Sequence, residues 1–204
     1  MSEKKRIGVL ASGNGTDFQS IIDAVESGHI GNAEIALLVC NKEGAYCIQR
    51  AKEYGIPFKY IDHRKRERED FDREVVGNLR DAGVDVVVLA GFMRLLSPYF
   101  INEYRGRIIN IHPALLPSFP GTHAHRDTLA YGVKVSGCTV HFVDENMDAG
   151  PVILQEAVDV FPDDTEDTLS ARILEKEHVL LPMAIKLYLE DKLEVRGRKV
   201  LIRE

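Results

Sequence analysis

The chain has 204 residues, 45% hydrophobic and 28% charged, with a formal net charge of −6 and a pI near 5.7. That composition is ordinary for a globular protein able to build one good core, and it suggests no fibrous, low-complexity or other exotic class. Without a global basic field, nucleic acid is disfavoured as a partner, and small anions would need a local site. The three cysteines, Cys40, Cys47 and Cys138, are scattered and form no C-x-x-C pair, which fits a reducing compartment. The first apolar run, in MSEKKRIGVLAS, is too short for a signal or membrane helix, and VDVVVLAGF is of strand length, so a cytoplasmic protein with no membrane partner is expected.

In chain order, Arg6–Ala11 reads as a buried strand running into the turn Ser-Gly-Asn-Gly. A helix follows on Phe18, Ile21, Ile22 and Val25, with Gly28 to stop it. Ala33–Cys40 is a second strand, Tyr46–Tyr54 a second helix, and Phe58–Ile61 a short extended piece. The mixed-charge run His63–Asp70 leads into a helix on Phe71, Val75, Val76 and Leu79. Val84–Leu89, rich in valine, is the strongest strand and should be buried on both faces.

A helix around Pro98–Tyr104 precedes the strand Ile108–His112. Beyond a proline-rich loop come a short helix near Arg126–Tyr131 and two strands, Val135–Val143 and Val152–Val160. Their connection DENMDAGP is short enough for an antiparallel pair. Thr165–Leu189 reads as a long helix with a bend at Pro182, and the charged tail as one short strand. The alternation predicts an α/β fold: an open, twisted, mostly parallel sheet with helices on both faces and an antiparallel C-terminal strand pair. Ligands in such folds bind beyond the carboxyl ends of strands, which singles out the turns Ser12–Asp17, Gly91–Leu96, Asn110–Gly121 and the one around Asp148.

Asn110 and His112 interrupt an apolar strand at a spacing of two, so both point to one face, about 7 Å apart along the chain. Either could be structural alone; because burying each unpaired costs roughly 1–3 kcal/mol, two beside a rigid Pro113–Pro120 loop weaken a purely structural reading, and spacing alone leaves both readings open. The turn SGNGTD resembles a phosphate cradle in which glycines let backbone N–H groups approach an anion at a helix start. It lacks the third small residue of a dinucleotide fingerprint and the lysine of a triphosphate loop, so a phosphomonoester fits best. His112, His123, His125 and His141 invite a metal reading, but no ordered ligand set is present, and no metal is expected. Among the turn acids Asp144, Glu145 and Asp148, spacing does not choose.

Five stretches, Ser12–Ala24, Asp85–Pro98, Asn110–Arg126, His141–Gln155 and the helix with Glu175–His178, resemble the glycinamide ribonucleotide formyltransferases, folate-dependent enzymes of purine biosynthesis. N-I-H-P and D-x-G-P are shared across folate formyl-transferring relatives; the early SGNGT turn is specific to this family. The resemblance implies a Rossmann-like formyltransferase fold in a single domain over residues 1–204, with a phosphate-binding half to about 100 and a folate and catalytic half from about 101. It implies Asn110, His112 and Asp148 as the catalytic set, Gly15, Thr16 and Asp17 on the substrate phosphate, and Glu177 on the ribose hydroxyls. Arg68, Met93, Arg94, Leu95, Leu96, Asn110, Val143 and Asp148 would meet the formyl-folate.

The implied substrates are glycinamide ribonucleotide and 10-formyltetrahydrofolate, the latter a co-substrate, with no tightly bound cofactor. Asp17 departs from the asparagine associated with its position; an acid beside a phosphate should turn away, for instance as a helix cap. Rival readings are a formyltetrahydrofolate hydrolase, a methionyl-tRNA formyltransferase and a non-catalytic nucleotide-binding module. The first two carry extra domains for which this chain has no room, and the intact catalytic set argues against the third. Whether the chain forms a homodimer is left open.

Overall fold

A computed structural model describes residues 3–203. They fall into two compact units, the first ending at Ile109 and the second beginning at Asn110.

The first unit alternates β1 (Lys5–Ala11), α1 (Thr16–Glu26), β2 (Ala33–Cys40), α2 (Tyr46–Glu53), β3 (Phe58–Tyr60), α3 (Arg68–Asp81), β4 (Val86–Leu89) and α4 (Pro98–Glu103). Its strands lie in the order β3-β2-β1-β4, every pair parallel. All four residues of β4 are buried, as a two-sided parallel strand requires. It starts two residues later than the apolar run because Asp85 is engaged with Arg6: its carboxylate accepts the Arg6 N–H at 2.8 Å and its own N–H donates to the Arg6 carbonyl. Phe18, Ile21 and Ile22 give α1 its buried stripe, and Phe71, Val75, Val76 and Leu79 do the same for α3. Gly8 permits α3 to come close, since a Cβ there would lie 2.7 Å from Leu79 Cδ2. Ser97 caps α4, its hydroxyl accepting the Phe100 N–H, with Pro98 at the first helical position.

β5 (Ile108–His112) carries the chain from the first unit into the second. There follow α5 (Ala124–Tyr131), β6 (Val135–Phe142), β7 (Val152–Asp159), α6 (Glu166–Leu189), β8 (Leu193–Arg196) and β9 (Lys199–Ile202). β6 and β7 form the predicted antiparallel pair. Thr165 and Thr168 cap α6 reciprocally, and Pro182 lies inside the helix without ending it. The tail differs from expectation: it forms two strands, a hairpin turning at Gly197 (φ +60°), with β9 parallel to β7. Arg203 pairs with Glu194 across the hairpin's open end, while Arg196 pairs with the same carboxylate along β8. The fold is thus α/β, with a mostly parallel sheet and an antiparallel C-terminal strand pair. No helix among the described residues is long and apolar enough to cross a membrane.

Candidate active site

The second unit gathers Asn110, His112, His141 and Asp148. His112 is 4% exposed; its Nε2–H donates to the Phe119 carbonyl at 2.8 Å, and its Nδ1 lies 3.5 Å from Asp148 Oδ2. Both ring nitrogens therefore face oxygen atoms, Nε2 in a hydrogen bond and Nδ1 at a longer reach. Asn110 Nδ2 donates to His141 Nε2 at 3.0 Å, while His141 Nδ1–H donates to the Phe142 carbonyl at 2.8 Å. That pattern assigns His141 the Nδ1–H tautomer, with a lone pair left for the asparagine. Burial lowers the His141 pKa and so favours the neutral ring. Its Nε2 is also 3.8 Å from Asp148 Oδ1.

Asp148 owes its place to backbone geometry. It sits in the left-handed region (φ +50°), and its Oδ2 accepts the Gly121 N–H at 2.8 Å, tying the acidic turn to the proline-rich loop. Two residues on, a Cβ at Gly150 would lie 1.7 Å from the Phe142 carbonyl oxygen, so only glycine lets the chain pass. Phe142 N–H then bonds the Pro151 carbonyl at 2.9 Å, completing the D-x-G-P turn. Of the other turn acids, Asp144 accepts the Asn146 N–H and Glu145 is exposed, which leaves Asp148 as the carboxylate facing the histidines. The proline-rich loop is ordered through Thr139, whose hydroxyl donates to Ala114 and accepts from Leu116.

The Ser12–Asp17 turn belongs to the first unit. Gly15 occupies the cap position of α1 at φ +67°, and a Cβ there would come 2.6 Å from Cys47 Cβ. Cys47 N–H donates to the Gly13 carbonyl and Arg50 Nε–H to that of Asn14, so the start of α2 braces the turn from behind. The first N–H groups of α1 lack helical partners by construction and can serve an anion. The expectation that Asp17 caps the helix is corrected: Gly15 takes that position, so Asp17 falls within the first turn. Burial raises its carboxyl to about 6.

Met93 and Leu95 are exposed at 58% and 50%, while Leu96 is buried and the Arg94 guanidinium stacks 4.6 Å from the Phe71 ring centroid. Arg68 is exposed at the start of α3, Val143 is half-buried just after β6, and Glu177 is buried on α6. His123 is exposed at the start of α5 and His125 is half-buried on it. No group of three or more His, Cys, Asp or Glu able to hold a metal occurs among the described residues. Sequence reasoning weighed His141 only as a metal ligand. The period-two pairing of Thr139 with His141 on β6 was the available sign that its ring shares a face with other site-building groups.

Comparison with known proteins fits this arrangement. Residues 5–185 match the formyl transferase family. The chain is 43% identical over 188 residues to the phosphoribosylglycinamide formyltransferase of Escherichia coli, covering 92% of this chain and 88% of that one. It is 48% identical over 184 residues, 89% of this chain, to the trifunctional purine biosynthetic protein adenosine-3 of Drosophila melanogaster, of whose length it spans 14%. The crystal structure of glycinamide ribonucleotide transformylase 1 from Symbiobacterium toebii superposes with a TM-score of 0.97 at 43% identity, covering 100% of this chain and 96% of that one. A formyltetrahydrofolate deformylase from Pseudomonas syringae pv. tomato gives 0.93 at 28% identity, covering 100% of this chain and 67% of its own. The chain belongs to the formyl transferase family, and within it to the phosphoribosylglycinamide formyltransferases rather than the deformylases.

Proposed function

We propose that the chain transfers the formyl group of 10-formyltetrahydrofolate to the amine of glycinamide ribonucleotide. The amine nitrogen attacks the formyl carbon, and negative charge gathers on the carbonyl oxygen of a tetrahedral intermediate. Asn110 spends one amide hydrogen on His141 and keeps a second for that oxygen. With Nε2 held by Phe119, Nδ1 of His112 is the nitrogen left to donate, and Asp148 beside it stabilises the positive charge on the ring. As the bond from carbon to N10 of the folate breaks, the proton lost by the amine passes to N10, through His112 or a water held by Asp148.

In this reading Gly15, Thr16 and Asp17 hold the phosphate through their N–H groups, and Glu177 takes the ribose hydroxyls. Arg68, Met93–Leu96, Asn110, Val143 and Asp148 serve the formyl-folate. The observation carrying the proposal is the juxtaposition of the His112 ring with the Asp148 carboxylate in a member of this family. The test is formyl transfer from 10-formyltetrahydrofolate with and without glycinamide ribonucleotide. Product that appears only with the amine supports transfer, whereas equal formate release in both supports hydrolysis instead.

A further inference from the structure

We infer that Ser12 is a positioning residue that couples the phosphate turn to the Met93–Leu96 loop, so that glycinamide ribonucleotide and folate each tighten binding of the other. This rests on the roles proposed above for those two segments, both in the first unit.

Ser12 is 1% exposed and follows directly on β1. The β1–β4 ladder ends at Leu10 and Leu89, yet Ser12 extends it: its N–H donates to the Gly91 carbonyl at 3.1 Å, and its Oγ accepts the Met93 N–H at 2.9 Å. A serine hydroxyl has one hydrogen to give, and here it goes to Asn41 Oδ1 at 2.7 Å. That bond fixes the rotor and aims a lone pair at Met93. Asn41 is itself 2% exposed, and His63 Nδ1 donates to its carbonyl at 2.8 Å, so the aiming group is held too.

The loop depends on such anchors. Its Met93 and Leu95 side chains are more exposed than buried, so the loop's own packing is confined to Arg94 on the Phe71 ring and to buried Leu96. The Met93 N–H on Ser12 holds one end, and the Ser97 N–H on the Asp72 carboxylate, at 2.5 Å, holds the other. The Asp72 anchor belongs to α3; the Ser12 anchor belongs to the phosphate turn. Ser12 is thus shared: a shift of its backbone when a ligand seats on Gly13–Gly15 carries with it the oxygen on which Met93 hangs, and a shift of the loop returns the effect. Coupling of this kind is reciprocal by thermodynamic necessity.

The test titrates tetrahydrofolate, which has no formyl group to transfer, into the protein by calorimetry with and without saturating glycinamide ribonucleotide. Wild type should bind tetrahydrofolate about fivefold tighter when the ribonucleotide is present. In Ser12→Ala that ratio should fall to about one, because the backbone N–H bond to Gly91 survives but the link to Met93 is gone. A purely structural role for Ser12 would lower the melting temperature and leave the ratio intact. A folded Ser12→Ala that keeps the wild-type ratio overturns the inference, as does an active wild type with a ratio of one. If Ser12→Ala does not fold, Asn41→Leu, which frees the hydroxyl to rotate, decides by the same ratio. A wild type that transfers no formyl group overturns the proposed function, and the inference with it.

Discussion

His112 presents Nδ1 to Asp148 at 3.5 Å from Oδ2, a separation too long for a good hydrogen bond, while its Nε2 is fully committed to the Phe119 carbonyl at 2.8 Å. The nitrogen beside the carboxylate is therefore near the charge without being consumed by it. In the proposed mechanism this is the nitrogen offered to the substrate oxygen.

Replacing Asp148 by asparagine should separate charge from scaffold. An asparagine oxygen can still accept the Gly121 N–H, and asparagine tolerates the left-handed backbone at φ +50°, so the turn should persist. The charge facing His112 is lost. Turnover should fall about a hundredfold or more, with a melting temperature close to wild type. Near-normal turnover in a folded Asp148→Asn would remove the carboxylate from the mechanism.

Acid should weaken the fold through His141. Burial lowers its pKa below the ordinary 6.5, so as pH falls the unfolded chain takes up the proton first and stability drops from about that pH downward. His125 is shifted the same way, mainly by burial. Thermal melts should be flat just above neutrality and decline below pH 6.5, with a shallower decline in His141→Gln. An identical slope in the variant would show that His141 is not a source of the acid sensitivity.

Asp17 should act in the opposite sense. Its carboxyl is raised from 3.8 to about 6, so the unfolded chain ionises first as pH rises, and stability is lost across that window. Asp17→Asn should thus raise the melting temperature at pH 7.5, with the gain vanishing below pH 4. It should also lower KM for the phosphate-bearing substrate, since a negative charge leaves the first turn of α1. A variant with unchanged KM would mean that the Asp17 charge does not reach the phosphate.

Gly15→Ala should damage the phosphate turn. The new Cβ would meet Cys47 Cβ at 2.6 Å in a backbone at φ +67°, a combination costing roughly 1–3 kcal/mol. Relief requires the turn or α2 to move, so KM for the ribonucleotide should rise more than KM for the folate. Equal effects on both would argue against a local phosphate role.

Much of the fold is written in local patterns. The apolar runs of β1, β2 and β4 and the helical stripes of α1 and α3 needed only periodicity. The shared face of Asn110 and His112 followed from their spacing of two. Asp148 did not: what selects it over Asp144 is the Gly121 N–H, 27 residues away in the chain, and the contact that Gly150 makes possible with Phe142. His141 escaped for the same reason, since its meaning lies in a hydrogen bond to Asn110 on another strand. The β8–β9 hairpin was obscured because its short strands carry as much charge as apolar surface, and β9 takes its pairing from the edge of β7. Asp17 was misplaced as a cap because a glycine in the left-handed region can fill that position without any side chain.

The most direct test is the rate of formyl transfer from 10-formyltetrahydrofolate to glycinamide ribonucleotide by the purified protein, with formate release measured in parallel. The account predicts that formylated ribonucleotide and tetrahydrofolate accumulate in equal amounts, and that Asp148→Asn abolishes most of both. Formate released at the same rate without the ribonucleotide, or no consumption of the folate at all, would contradict it.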